Sequence, residues 1–151
     1  MVTAQLASVE YGRPVDRTRL AALSVFEGLP EHELDAVAAV ASEHEVAAGD
    51  TLITEGDFGH SLFVIEHGSA DVLVAGDTVR SVGPGDVVGE IAVLASGRRT
   101  ASVVATSHVR AIALFKRDVW ALERGGAETV QRLRAAVQEH VGPAADPPSP
   151  A

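Results

Sequence analysis

A chain of 151 residues that is 46% hydrophobic carries enough apolar material for one domain with a core, and too little for two. Aromatic residues make up only 4%, so the core must be built from Val, Leu, Ile and Ala. The formal charge of −9 disfavours general attraction to nucleic acid or anionic lipid, and the absence of cysteine removes disulfides, thiolate metal sites and cysteine nucleophiles together.

Residues 1–15 read as an N-terminal arm. They lack the basic start and apolar stretch of a signal peptide, and no apolar run approaches the roughly 18 residues of a membrane span, so a cytoplasmic protein without membrane contact is expected. Residues 16–24, DRTRLAALS, predict a short helix. Pro30 suits the first turn of a second, in which Leu34, Val37, Ala38 and Ala41 fall on one face and which is expected to end near His44.

From residue 46 glycines punctuate short segments at Gly49, Gly56, Gly59, Gly68, Gly76, Gly83, Gly85 and Gly97. Between them TLIT, SLFVIE, ADVLVA, VRSV, ASVVAT and HVRAIALF are β-branched or alternating, which predicts short antiparallel strands. After Phe115 the helical period returns. Asp118 is expected to cap one helix, with Gly125 or Gly126 stopping it, and a last helix runs from Ala127 to about His140 with Val130, Leu133 and Ala136 or Val137 inward. Residues 142–151, GPAADPPSPA, predict a disordered tail. The expected fold is α+β: an antiparallel, jelly-roll-like β-roll (a double-stranded β-helix) flanked by N- and C-terminal helices, one domain over 16–141.

One segment breaks the β pattern: GEIAVLASGRRTASV, residues 89–103. Glu90 to Ala95 suffices for one or two helical turns, whose first N–H groups have no internal partner and point, with the helix dipole, at an anion site. Arg99 follows the Ser96-Gly97 turn and brings a planar fork of donors suited to phosphate. Glu90 accepts hydrogen bonds from hydroxyls, so the set reads as a sugar-phosphate site. The same two residues also read as an internal ion pair, and spacing leaves both open.

This segment resembles the phosphate-binding cassette of cyclic nucleotide-binding domains: Gly-Glu, a short helix, Arg, a small or hydroxyl residue, then Ala. It is similar to the cassettes of hyperpolarisation-activated cation channels, which share the Arg-Arg-Thr-Ala-Ser run, and the domain is similar to catabolite-activator-type sensors. The resemblance covers roughly residues 24–140 and includes Phe26-Glu27-Gly28-Leu29, Ala48-Gly49-Asp50, Glu55-Gly56 and Phe63-Val64-Ile65 with Gly68. It implies that Glu90 accepts the ribose 2′-hydroxyl, that Arg99 pairs with the cyclic phosphate, and that Gly89, Ala92 and Thr100 supply backbone donors beside Ile91 and Ala101. It further implies that Val72 packs on the base and that Arg132, on the last helix, belongs to a lid. Thr100 also reaches a phosphate or a guanine edge. Val88 replaces a frequent aromatic, and Arg98 is expected to face solvent.

The implied ligand is cAMP, with cGMP as the alternative; no cofactor, metal or catalysis is expected. The six histidines, His32, His44, His60, His67, His108 and His140, lack ligand spacing. Asp57-Phe58-Gly59 reads as a turn, and Trp120 as core. The output is assigned to an unknown effector protein or to a homodimer through the last helix. The competing reading is an interaction module of the same fold that no longer binds nucleotide. A transcription regulator would need a helix-turn-helix where this sequence has its proline-rich stretch.

Overall fold

The computed structural model describes residues 15–89, 93, 97–126 and 128–141. Residues 1–14, the tail 142–151 and the predicted helix at Glu90–Ala95, apart from Val93, lie outside the described residues, as do the side chains of Ala136 and Val137.

Helix α1 (Arg17–Ala21) starts at Asp16, whose carboxylate accepts from the Arg19 N–H at 2.9 Å. A 3₁₀ turn (Ser24–Phe26) leads to α2 (Glu31–Val40). Eight strands follow: β1 (Ser42–Val46), β2 (Thr51–Ile53), β3 (Ser61–His67), β4 (Ala70–Val74), β5 (Asp77–Val82), β6 (Val87–Val88), β7 (Ser102–Ala105) and β8 (Val109–Phe115). Helices α3 (Lys116–Arg124) and α4 (Glu128–Val141) complete the described residues.

The strands form two four-stranded sheets, β1-β8-β3-β6 and β2-β7-β4-β5, with every neighbouring pair antiparallel. In β3 and β8 both faces are covered, which is why they read as continuous apolar runs. Leu62, Val64, Ile112 and Leu114 pack under the helices with Leu20, Phe26, Val37, Val119, Val130 and Leu133. Phe63, Ile65, Ala111 and Ala113 face the second sheet with Ile53, Val72, Val82, Val88 and Val103. At the β3–β4 turn Gly68 has φ +93° and a Cβ there would lie 2.1 Å from the His108 carbonyl oxygen, so only glycine fits.

Three expectations are corrected. The second helix ends at Val40, not near His44: Ala41 has turned to extended backbone, and Ser42–Val46 is a strand paired with β8. Its buried Glu43 reads as helix surface in sequence, but the carboxylate is matched by Arg19 from α1. Asp118 does not cap α3; Phe115 occupies the boundary, and Asp118 sits in the first turn, where its charge favours the helix dipole. Trp120 is 45% exposed, because α3 buries Val119 instead and Lys116 lies over the indole at 5.0 Å. Gly125 ends α3 as expected.

The last helix is capped from outside itself. Glu33 on α2 accepts from the Glu128 and Thr129 N–H groups at 3.1 and 2.9 Å and from the Thr129 hydroxyl at 2.8 Å. Burial pushes the Glu33 carboxyl up, but these donors outweigh it and leave the pKa lowered. Removing an N-cap of this kind costs about 1 kcal/mol. Glu33→Ala is therefore expected to lower the unfolding free energy by about that amount, read by urea titration, and to speed amide exchange in the first turn of α4.

Candidate functional site

Strand β6 delivers the chain to Gly89, which adopts φ +81°. A Cβ there would lie 2.6 Å from Arg99 Nη1, 3.0 Å from Ile53 Cδ1 and 3.3 Å from the Ser61 carbonyl oxygen. Glycine is thus required twice, for its backbone angle and for the approach of the arginine.

Arg99 is held from both ends. Its Nη1 donates to the Gly89 carbonyl at 3.0 Å and its Nη2 to the Ser61 carbonyl at 2.8 Å, with the guanidinium 6.0 Å from the Phe63 ring centre. Its backbone is strapped to the loop after β2. Arg99 N–H donates to the Asp57 carbonyl at 2.7 Å, Gly56 N–H to the Arg99 carbonyl at 3.0 Å, and Gly59 N–H to the Gly97 carbonyl at 2.8 Å. Arg98 is exposed, as expected, yet it also serves this strap: Nη1 donates to the Gly56 carbonyl at 2.9 Å and the guanidinium stacks 4.3 Å from the Phe58 ring centre. The Asp57-Phe58-Gly59 turn thus braces the paired arginines.

Of the other expected residues, Val72 is buried on β4 in the inter-sheet core that also holds Phe63 and Ile53, the residues flanking Arg99 and Gly89. Ala101 packs half-buried against the same core, and Thr100 is exposed beside it. Glu90, Ile91 and Ala92 lie outside the described residues. Arg132 is not brought to this group. It donates to the Glu27 carbonyl and pairs with Glu128 at 3.1 Å, close to Gly28 at the start of the helical layer.

Sequence reading missed two groups. The Ser61 carbonyl has no side-chain signature. Arg80 does carry one: Val82 faces inward on β5, and a period of two places Arg80 inward as well. Arg80 lies opposite Val72 in the β4–β5 register, and its Nη1 is buried with no hydrogen-bond partner among the described residues.

Among the described residues there is no cluster of three His, Cys, Asp or Glu side chains placed to hold a metal, and no helix is long and apolar enough to cross a membrane.

A family model, "Cyclic nucleotide-binding domain", matches residues 43–124. A cAMP-dependent protein kinase regulatory subunit of Hypocrea atroviridis is 36% identical over 92 residues, covering 61% of this chain and 20% of that protein. The Cyclic AMP receptor protein of Thermus thermophilus is 30% identical over 105 residues, covering 66% of this chain and 49% of its own. The chain thus spans between a fifth and a half of the length of these curated relatives. Among solved structures, the regulatory subunit of a cAMP-independent protein kinase A from Trypanosoma brucei superposes with a TM-score of 0.72 at 27% identity, over 85% of this chain and 46% of that one. The two-sheet roll and the flanking helices agree with these matches, and the chain belongs to the cyclic nucleotide-binding domain family.

Proposed function

We propose that this chain is a non-catalytic sensor domain that binds a 3′,5′-cyclic nucleotide in the β-roll, in a cytoplasmic setting, and signals through its C-terminal helix. The observation that carries the reading is the Arg99 guanidinium, oriented by two backbone carbonyls beside a glycine whose positive φ and close approach to the arginine disfavour any side chain. A preoriented fork of donors matches the cyclic phosphate, and Glu90, one residue after Gly89, would accept the ribose hydroxyl. The relatives' names support cAMP as the nucleotide to test first.

The signal is assigned to α4 because its described attachments are specific. Glu33 caps it, Arg132 ties it to the Glu27 carbonyl, and Val130 and Leu133 bury its inner face. A ligand that favours one placement of this helix shifts its population, and an effector protein or a second copy reads the result.

Titration calorimetry with cAMP, with cGMP and 5′-AMP as comparison ligands, tests the reading. A ligand of roughly 22 heavy atoms at about −0.3 kcal/mol per atom gives about −7 kcal/mol, a dissociation constant on the order of 10 μM. Saturable binding of a cyclic form with 5′-AMP much weaker is the expected result. No heat up to millimolar ligand would favour the second reading, an interaction module without ligand, to which the fold-sharing subunit described as cAMP-independent lends support.

A further inference from the structure

A second surface lies outside the phosphate chemistry, where β8 passes into α3. Phe115, the last residue of β8, is 44% exposed, and Trp120, the single tryptophan of the chain, stands on α3 at a similar exposure. With His60, Lys116 and Arg117 they line an open groove of about 380 Å³. Backbone contacts form the groove in advance: Ser61 pairs with Phe115 in the β3–β8 register, and the Lys116 N–H donates to the His60 carbonyl at 2.7 Å. Each cation sits over a ring, Lys116 at 5.0 Å from the Trp120 centre and Arg117 at 5.7 Å from that of Phe115.

The charge of this groove runs against that of the chain. The sequence has 21 acidic residues against 12 basic ones, and Arg17, Arg19, Arg110, Arg132 and Arg134 are each matched to a carboxylate. Lys116, the only lysine of the chain, and Arg117 have no carboxylate partner among the described residues, and no acid lines the groove. Asp118, next in sequence, lies outside the lining. Two neighbouring aromatics left to solvent beside two unmatched cations mark an interaction surface. Tryptophan and arginine anchor protein interfaces, and charges around such anchors select the sign of the partner. We propose that this groove docks an acidic peptide segment of a partner protein, with an aliphatic side chain seated between Phe115 and Trp120 and flanking carboxylates paired with Lys116 and Arg117. A long polyanion fits less well, because beyond the groove it meets a protein of net charge −9. This docking goes beyond the nucleotide reading and does not depend on it.

Trp120, as the sole tryptophan, reports the groove directly. The probe is the blocked peptide Glu-Asp-Leu-Glu-Asp-Leu-Glu-Asp, added to the full chain and followed by Trp120 emission and by calorimetry. One comparison peptide carries Lys-Arg in place of each Glu-Asp, and another carries Ser in place of each Leu. The acidic leucine peptide is expected to bind saturably and tighter than millimolar, with the basic peptide silent and the serine peptide at least about fivefold weaker. Its affinity should fall as salt rises. Trp120→Ala should weaken it at least about fivefold by calorimetry. Lys116→Glu combined with Arg117→Glu is expected to exchange the preference, so that the basic peptide binds and the acidic one does not, which also reports that the variant folds. No saturable response to the acidic peptide up to millimolar concentration overturns the proposal, and the peptide series on the unaltered protein decides even if a variant does not fold. Unchanged acidic-peptide binding by the Lys116→Glu/Arg117→Glu variant overturns it as well. So does an equal emission change with oligothymidylate or with phosphatidylserine vesicles, which would mean general anion attraction. Self-association of the unaltered protein in sedimentation, abolished by Trp120→Ala, would overturn it in favour of a second copy of this chain.

Discussion

Arg99→Ala is expected to weaken cyclic nucleotide binding at least about thirtyfold. The loss follows from removing a charged partner of the phosphate, about 2 kcal/mol or more, at 1.4 kcal/mol per factor of ten. The fold should survive. Among the described residues the side chain donates to the Gly89 and Ser61 carbonyls at a half-buried position, and losing these two bonds is expected to cost about 1 kcal/mol, or a few degrees of melting temperature. Arg99→Lys separates charge from geometry: it keeps the cation but cannot bridge the two carbonyls as a planar fork, and it should bind with intermediate affinity. Gly89→Ala reaches the same arginine from the backbone, since its Cβ would crowd Nη1 and a positive φ strains any residue with a side chain. Calorimetry on the three variants reads the effect. If Arg99→Ala titrates like the unaltered protein, the phosphate assignment is wrong.

The parts of the fold legible in sequence are those governed by local rules. Glycines at turns with positive φ, such as Gly68 and Gly76, announced strand ends, and the 3.6-residue period announced the faces of α2 and α4. What failed was decided at long range. Strand β1 looks like the polar exit of a helix because Glu43 reads as surface; its burial depends on Arg19 and Arg110, 24 residues before it and on the partner strand. Strand β6 is two valines, too short to show a period, and exists because β3 offers Phe63 and Val64 as partners. Trp120 read as core on hydrophobicity, but the face of α3 is set by Val119 meeting the layer below.

The site divides in the same way. Arg99 was legible because its chemistry and its neighbours in sequence go together. The role of Asp57-Phe58-Gly59 in bracing it was not, since the strap consists of backbone bonds between segments some 40 residues apart. Arg80 lay between these cases: the period of β5 predicts its direction, yet only the pairing with Val72 shows that inward means the inner face of the roll.

The largest stability effect is expected at the ion cluster that joins α1 to the first sheet. Arg19 donates to Glu66 through Nε at 3.0 Å and Nη2 at 2.6 Å, and through Nη2 to Glu43 at 2.9 Å, while Arg110 Nε reaches Glu66 at 3.0 Å. The Glu43 side chain is 1% exposed and that of Arg19 19%, so water cannot replace a lost partner. Arg19→Met takes a charged partner from both Glu43 and Glu66, and breaking a buried pair from one side costs about 3 kcal/mol or more. Arg17, two residues away, forms its pairs with Glu31 and Asp35 at side-chain exposures of 47% or more, and Arg17→Met should cost less than about 1 kcal/mol. Similar effects from the two variants would show that burial does not govern the cluster.

Acid distinguishes the mechanism further. The hydrogen bond from Arg19 holds the Glu66 carboxyl below its usual range, against the opposing pull of burial and with help from Arg110. A depressed carboxyl contributes stability that is fully present above its unfolded pKa, about 4.3, and lost as the pH falls through the lower folded value. Arg19→Met removes the main cause of that depression. The stability gap between unaltered and variant protein, measured by urea titration, should therefore be widest near pH 7 and narrow as the pH falls below about 4, where protonation relieves the stranded acids. A gap that stays constant across that range would mean that Arg19 acts by packing its stem against α1 and the sheet, and not through its charge.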